Sequence, residues 1–168
     1  MNTQEAILAR RSCRKFTTDV ISDDIIRTLL VSAMAAPSAC NKRPWEFYVI
    51  KNPEILEQLR HVSRYSNMNS SLIIIVAGND KRSLNHKDND FWIQDCSAAT
   101  ENILLTATEL GIGSCWCGLY PLVTPVKSIR KLLGLEEHII PLALIHLGYP
   151  AESSEPRTQY DEKRVHYV

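Results

Sequence analysis

The 168-residue chain is poor in the features that most often decide a protein's class. No apolar run approaches the roughly 20 residues that span a bilayer, which leaves a membrane-spanning role without support. The first residues, Met1-Asn2-Thr3-Gln4-Glu5, lack the basic-then-apolar form of a secretory leader, and a cytoplasmic protein is expected. Net charge is absent, 19 Lys+Arg standing against 19 Asp+Glu. The basic segment is short and carries no interleaved aromatics, which does not fit a nucleic-acid interface. Five cysteines at irregular spacing form no CxxC and no second Cys or His pair, which excludes a zinc finger and points to reduced thiols. HExxH, a GxGxxG phosphate loop and a nucleophile–base motif are all missing. Any catalysis on such a chain falls to an organic cofactor.

What is present is an ordinary globular composition, 45% hydrophobic and 23% charged, with one domain expected over residues 1–168. Asn2 predicts a cap for a first helix from Thr3 to about Arg11. Ser22 caps a second, with Asp23 and Asp24 in its first turn and Pro37 setting its end. Pro37 to Trp45 reads as a loop between two prolines, and Trp45–Ile50 as a strand. Asn52-Pro53 opens a helix to about Val62. Leu72–Ala77 (LIIIVA) has the continuous β-branched run of a strand buried on both faces.

Asn79–Asp90 is strongly polar and reads as a mobile loop before the longest helix, about Phe91–Leu110, which Gly111 stops. The small residues of that helix suit burial nearly all round or contact with a second copy. Gly111–Gly118 leads into a short strand. Thr124 is expected to cap a helix ended by Gly134, and Ile139–Leu147 is the final strand. The tail carries an apolar end, Val165-His166-Tyr167-Val168, that needs a surface to cover.

Four of the six residues Arg10-Arg11-Ser12-Cys13-Arg14-Lys15 are basic. On a neutral chain this points to one local anionic target, because guanidinium forks match phosphate oxygens and Ser12 adds a hydroxyl. In an extended segment Arg10, Ser12 and Arg14 share a side. Helix C-termini also collect cations to suit the dipole, so the cluster alone does not decide. Ser38 and Asn41 offer polar groups on a loop held by Pro37 and Pro44. Gly118 allows close approach of a ligand to the backbone. Cys115 and Cys117 are expected to be inert strand thiols on opposite faces. The five histidines, His61, His86, His138, His146 and His166, are scattered and read as surface or core residues.

Taken in order, four segments resemble the nitroreductase family of FMN-dependent oxidoreductases. They are Arg10-Arg11-Ser12-Cys13-Arg14 with Phe16, the loop Pro37–Trp45 (PSACNKRPW), Gly111–Gly118 (GIGSCWCG), and Leu147–Glu152 (LGYPAE) with Pro156-Arg157 behind. The resemblance implies an α+β fold, a mostly antiparallel sheet flanked by helices, in an intertwined homodimer whose tail from about residue 150 covers the partner. It implies FMN at Arg10, Arg11, Ser12 and Arg14, with Arg157 returning to the phosphate. Pro37, Ser38, Ala39 and Asn41 of the partner would edge the ring, and Trp116, Cys117 and Gly118 would face flavin N5. It implies hydride transfer from NAD(P)H to a nitroaromatic, quinone or similar acceptor in two half-reactions, with no catalytic side chain and no metal. A flavin-storing or flavin-sensing protein without turnover is the alternative. Two departures from the family pattern are Gln159, where many relatives have a base, and Arg43, where many have Gln.

Overall fold

The computed structural model describes residues 1–84 and 90–168. Nine regular elements follow in chain order: α1 (Thr3–Ala9), α2 (Asp23–Met34), β1 (Trp45–Ile50), α3 (Pro53–Arg60), β2 (Leu72–Asn79), α4 (Phe91–Glu109), β3 (Gly113–Gly118), α5 (Val123–Leu133) and β4 (Ile139–Gly148). The strands form one antiparallel sheet in the order β1-β2-β4-β3. This is the α+β arrangement the resemblance implies.

Period-2 alternation explains why the central strands are apolar throughout. Leu72, Ile74 and Val76 pack with α2 and α4 on one face, with Ile145 and Leu147 beside them. Ile73 and Ile75 pack with Leu56 and Leu59 of α3 and Ile129 of α5 on the other, with Leu144 beside them. A bulge after Val76 shifts the β2–β4 register where Pro141 enters β4, since proline cannot donate to a ladder.

The helix caps follow the sequence closely. Asn2 and Glu5 form a reciprocal capping box, Ser22 accepts from the N–H of Ile25, and Asn52 accepts from those of Glu54 and Ile55. Gly111 and Gly134 end α4 and α5 with left-handed backbone.

Five expectations need correction. α1 stops at Ala9, and α3 stops at Arg60 rather than near Val62. α5 begins at Val123 with Leu122 in the cap position, so Thr124 lies in the first turn and does not cap. Asn79 ends β2 and residues 80–82 form a 3₁₀ turn, so that part of the expected loop is ordered; residues 85–89, including His86, lie outside the described residues. α4 is fully buried on one face only, and Ser97, Ala98 and Leu105 remain half-buried. No described helix is long and apolar enough to cross a membrane.

Candidate functional site

After α1 the backbone of Arg10 turns extended (φ −55°, ψ 128°) and the chain runs alongside β3. Ser12 bridges Ser114 in parallel, and the N–H of Cys13 donates to the Ser114 carbonyl at 2.8 Å. This short pairing carries Arg14 to the outer end of β3. There a cleft of about 430 Å³ opens between Arg14, the segment after α3 (Arg64, Tyr65, Asn67, Met68) and Cys115–Gly118. β3 is an edge strand. Beyond the Ser114 bridge its outer backbone pairs with no described strand, leaving polar groups available to a ligand.

The basic cluster divides. Arg10 Nε lies 3.5 Å from Glu101 on α4, and that carboxyl is held above its usual range by burial, against the pull of Arg10. Arg11 donates to the carbonyls of Leu8 (3.2 Å) and Arg10 (2.6 Å) and clasps the tail at Glu155 O (2.6 Å). The tail returns a second time where the Arg157 N–H donates to Leu8 O at 3.1 Å. Desolvation, then the charges of Arg157 and Arg10, lower the Arg11 pKa, so the three guanidinium groups sense one another beside α1. Arg10, Arg11, Ser12 and Arg157 do not line the cleft; Arg14 does.

Cys115 and Cys117 share one face of β3, because residues two apart on a strand point the same way. The expectation of opposite faces was a periodicity error; Trp116 is the residue that turns to the α4 side. A hydrogen bond from Cys117 lowers the Cys115 pKa, with Arg14 and a hydrogen bond from Ser12 acting in the same direction against burial. The single hydrogen of the Cys117 thiol has two acceptors in reach, the Cys115 sulfur and the Tyr65 carbonyl at 3.3 Å. Its own pKa is raised by that hydrogen bond to Cys115 and by burial.

The Pro37–Trp45 loop is strained. Cys40, Asn41 and Arg43 all have left-handed backbone, at φ 47°, 53° and 49°. Such conformations in non-glycine residues gather at functional sites and persist only where neighbours enforce them. Ser38 Oγ accepts from the Arg43 N–H at 2.9 Å, and the Ala39 N–H donates to Asp95 Oδ1 of α4 at 2.8 Å. Pro37, Ser38, Ala39 and Asn41 are outside the cleft of their own chain. Arg43 lines a separate hollow with Met34, Trp45 and Arg82.

Sequence reasoning missed Arg64, Tyr65, Asn67 and Met68. They sit in an irregular segment without a motif, though the run Arg64-Tyr65-Ser66-Asn67-Met68-Asn69 concentrates cation, aromatic and amide groups between two elements. Among the histidines, His146 is fully buried and bonds Ser70 Oγ through Nδ1 at 2.7 Å; it pairs with Cys115 across the sheet but does not itself line the cleft. His61 and His138 pair with Glu57 and Glu136, and His166 is in the exposed tail.

Comparison with known proteins gives the family. A profile of the nitroreductase family matches residues 7–71 and 63–149. A protein of Methanothermobacter thermautotrophicus with the provisional name NADH dehydrogenase/NAD(P)H nitroreductase is 43% identical over 168 residues, 99% of this chain and 86% of its own. A crystal structure from Parabacteroides distasonis, provisionally named in the same way, superposes with a TM-score of 0.92 at 33% identity, covering 99% of this chain and 98% of that one. A provisionally named nitroreductase from Desulfovibrio desulfuricans, solved in complex with FMN, has a TM-score of 0.83 at 28% identity, covering 100% of this chain and 98% of that one. The chain belongs to the nitroreductase family.

Proposed function

We propose that the chain is an FMN-dependent oxidoreductase that draws on NAD(P)H and serves an electron-poor acceptor such as a nitroaromatic or quinone. The observation that carries this reading is the convergence of Arg14 with Trp116, Cys117 and Gly118 in a cleft that no acidic residue lines among the described residues. When bound, the flavin supplies hydride transfer through N5 between the nicotinamide and the acceptor.

The residues present fit such a group. Arg10, Arg11 and Arg157 cluster beside α1 as a cationic end for its phosphate, with the Ser12 hydroxyl next to them in sequence. Arg14 places positive charge in the cleft, worth on the order of 1–4 kcal/mol against a unit negative charge in partly solvated surroundings. Ser114 turns its carbonyl outward to Cys13, and by alternation the unpaired edge of β3 offers the backbone groups of Trp116 and Gly118, while Cys117 faces β4; a Cβ built at Gly118 would meet no atom of the chain within 4 Å. Asn67 adds an amide to the polar wall. No side chain needs to act as an acid, because the cleft is open to water.

We further propose that Pro37, Ser38, Ala39 and Asn41 edge the ring of the partner subunit's flavin in a homodimer. The strain in this loop and its distance from its own cleft support that reading. So does the tail: Tyr160, Val165, Tyr167 and Val168 are exposed, with Tyr167 at 92%, so the chain itself gives them no apolar cover. Ile7, Val31, Met34 and Leu110 are exposed on or beside α1, α2 and α4, an apolar surface for a second copy.

The purified protein is expected to be yellow, to release FMN on denaturation, and to bleach under anaerobic NAD(P)H and recover its colour with an added quinone. Sedimentation is expected to give twice the chain mass. Colourless protein that ignores added FMN, or bound flavin that NAD(P)H never bleaches, refutes the enzymatic reading.

A further inference from the structure

Among the described residues the cleft holds two guanidinium groups, Arg14 and Arg64, and no acidic side chain lines it. Among the described residues neither forms an ion pair, and the one side-chain hydrogen bond of Arg14 is a long contact to the Ser12 carbonyl at 3.4 Å. Arg60, four residues before Arg64, is quite different: it is tied to Glu57 at 2.7 Å and to the Ser70 carbonyl, and so serves the fold.

Arg64 is instead stacked on Tyr65, its guanidinium carbon 4.6 Å from the ring centroid. Stacking uses the face of the guanidinium plane and leaves its edge N–H donors free. It also holds the charge at the cleft mouth, where an unsupported arginine would sample solvent. Tyr65 is 61% exposed, so the aromatic support is itself part of the open wall.

Resting on the flavin reading above, we propose that Arg64 is a specificity-determining anion site for the substrate. Arg14 is committed to the cofactor, whereas Arg64 takes a carboxylate, sulfonate or phosphate carried by the molecule that enters after it. The substrate class is then a planar, electron-poor acceptor bearing an anionic group, or a nicotinamide donor recognised through a phosphate. A guanidinium fork meets a carboxylate or phosphate by two parallel N–H bonds, whereas a neutral amide of the same shape gains far less.

The test uses the protein as purified and two probes of equal shape, 4-nitrobenzoate and 4-nitrobenzamide. Calorimetry is expected to give roughly tenfold tighter binding of the benzoate to the wild type, and Arg64→Gln is expected to remove that preference. Arg64→Lys is expected to keep part of it, because it retains the charge and loses the fork. Added salt is expected to shrink it, since the site is exposed. Steady-state ratios separate the two sources. A fall in benzoate-over-benzamide kcat/KM in Arg64→Gln assigns the anion to the acceptor, and a fall in NADPH-over-NADH assigns it to the donor; either supports the site. Equal binding of the two probes to the wild type, or an unchanged preference in Arg64→Gln, overturns it. The flavin spectrum of the same samples reports separately on the cofactor reading, which fails if no FMN is present.

Discussion

The N–H of Ala39 donates to Oδ1 of Asp95 at 2.8 Å, joining positions 56 apart in sequence. Asp95 is only 4% exposed, and its Oδ2 has no partner among the described residues. A buried carboxylate with one oxygen unsatisfied is costly, so its retention here calls for a local reason. The bond pins the loop just before Cys40, Asn41 and Arg43, the three residues held at positive φ. α4 thus fixes the conformation of the segment proposed to reach the partner's flavin.

Asp95 is therefore a positioning residue with a testable signature. Asp95→Asn keeps an oxygen to accept from Ala39 and is expected to hold FMN nearly as well as the wild type. Asp95→Ala is expected to lose roughly tenfold in FMN affinity, the worth of one buried hydrogen bond to a charged group. Fluorescence titration with FMN decides it, and equal affinities in the two variants refute the assignment.

Two glycines at strand ends make a contrast. A Cβ at Gly118 meets nothing of the chain within 4 Å, whereas one at Gly148 comes 2.8 Å from Phe16 Cδ1. Gly148→Ala is expected to cost about 1–3 kcal/mol of stability, because the buried Phe16 ring must shift. Gly118→Ala is expected to leave the unfolding midpoint of flavin-free protein unchanged while weakening FMN binding, since the added methyl enters the ligand's side of β3. Denaturant unfolding and FMN titration of both variants check this, and a stability loss at Gly118 would mean that its role lies in folding.

The elements were legible wherever local chemistry fixes them. Trp45–Ile50 matched residue for residue, and Asn2, Ser22 and Asn52 cap as their side chains demand. Gly111 and Gly134 stop helices because each enters the left-handed region. Errors came where a longer-range contact decides: α1 ends early because the chain beyond it pairs with Ser114, and Arg10 is drawn to Glu101 on α4. Of the cleft, Arg14 and Trp116–Gly118 were readable from motifs. Arg64 and Asn67 were not, since only the fold brings the segment after α3 against β3.

His146 sets a pH limit on stability. Burial lowers its pKa from the ordinary 6.5 to about 4, so the folded protein keeps it neutral. Between those values the unfolded chain binds a proton that the native state refuses. The contribution is intact above pH 6.5 and is lost as pH falls toward 4, by about 3 kcal/mol in all. Unfolding free energy of the wild type is expected to fall with a slope near one proton in the upper part of that window, before the carboxylates titrate. His146→Gln is expected to be less stable at neutral pH, having lost the Ser70 contact, and to show a flatter profile there. Parallel slopes in the two proteins would assign the acid sensitivity elsewhere.

Cys115 offers the last test, because its ionisation reports on Ser12, Arg14 and Cys117 together. The hydrogen bond from Cys117 is its largest stabiliser, followed by the charge of Arg14 and the bond from Ser12, and together they outweigh burial. The ultraviolet thiolate absorbance of the purified protein is therefore expected to begin titrating below the ordinary thiol range. Cys117→Ala removes the donor and is expected to move the midpoint upward by more than Arg14→Gln does, while Ser12→Ala moves it least. Because Arg14 acts through space, its effect is expected to shrink in high salt, whereas that of Cys117 stays. If the midpoint stays near an ordinary thiol value in the wild type, the hydrogen bond from Cys117, the largest cause, does not act on Cys115.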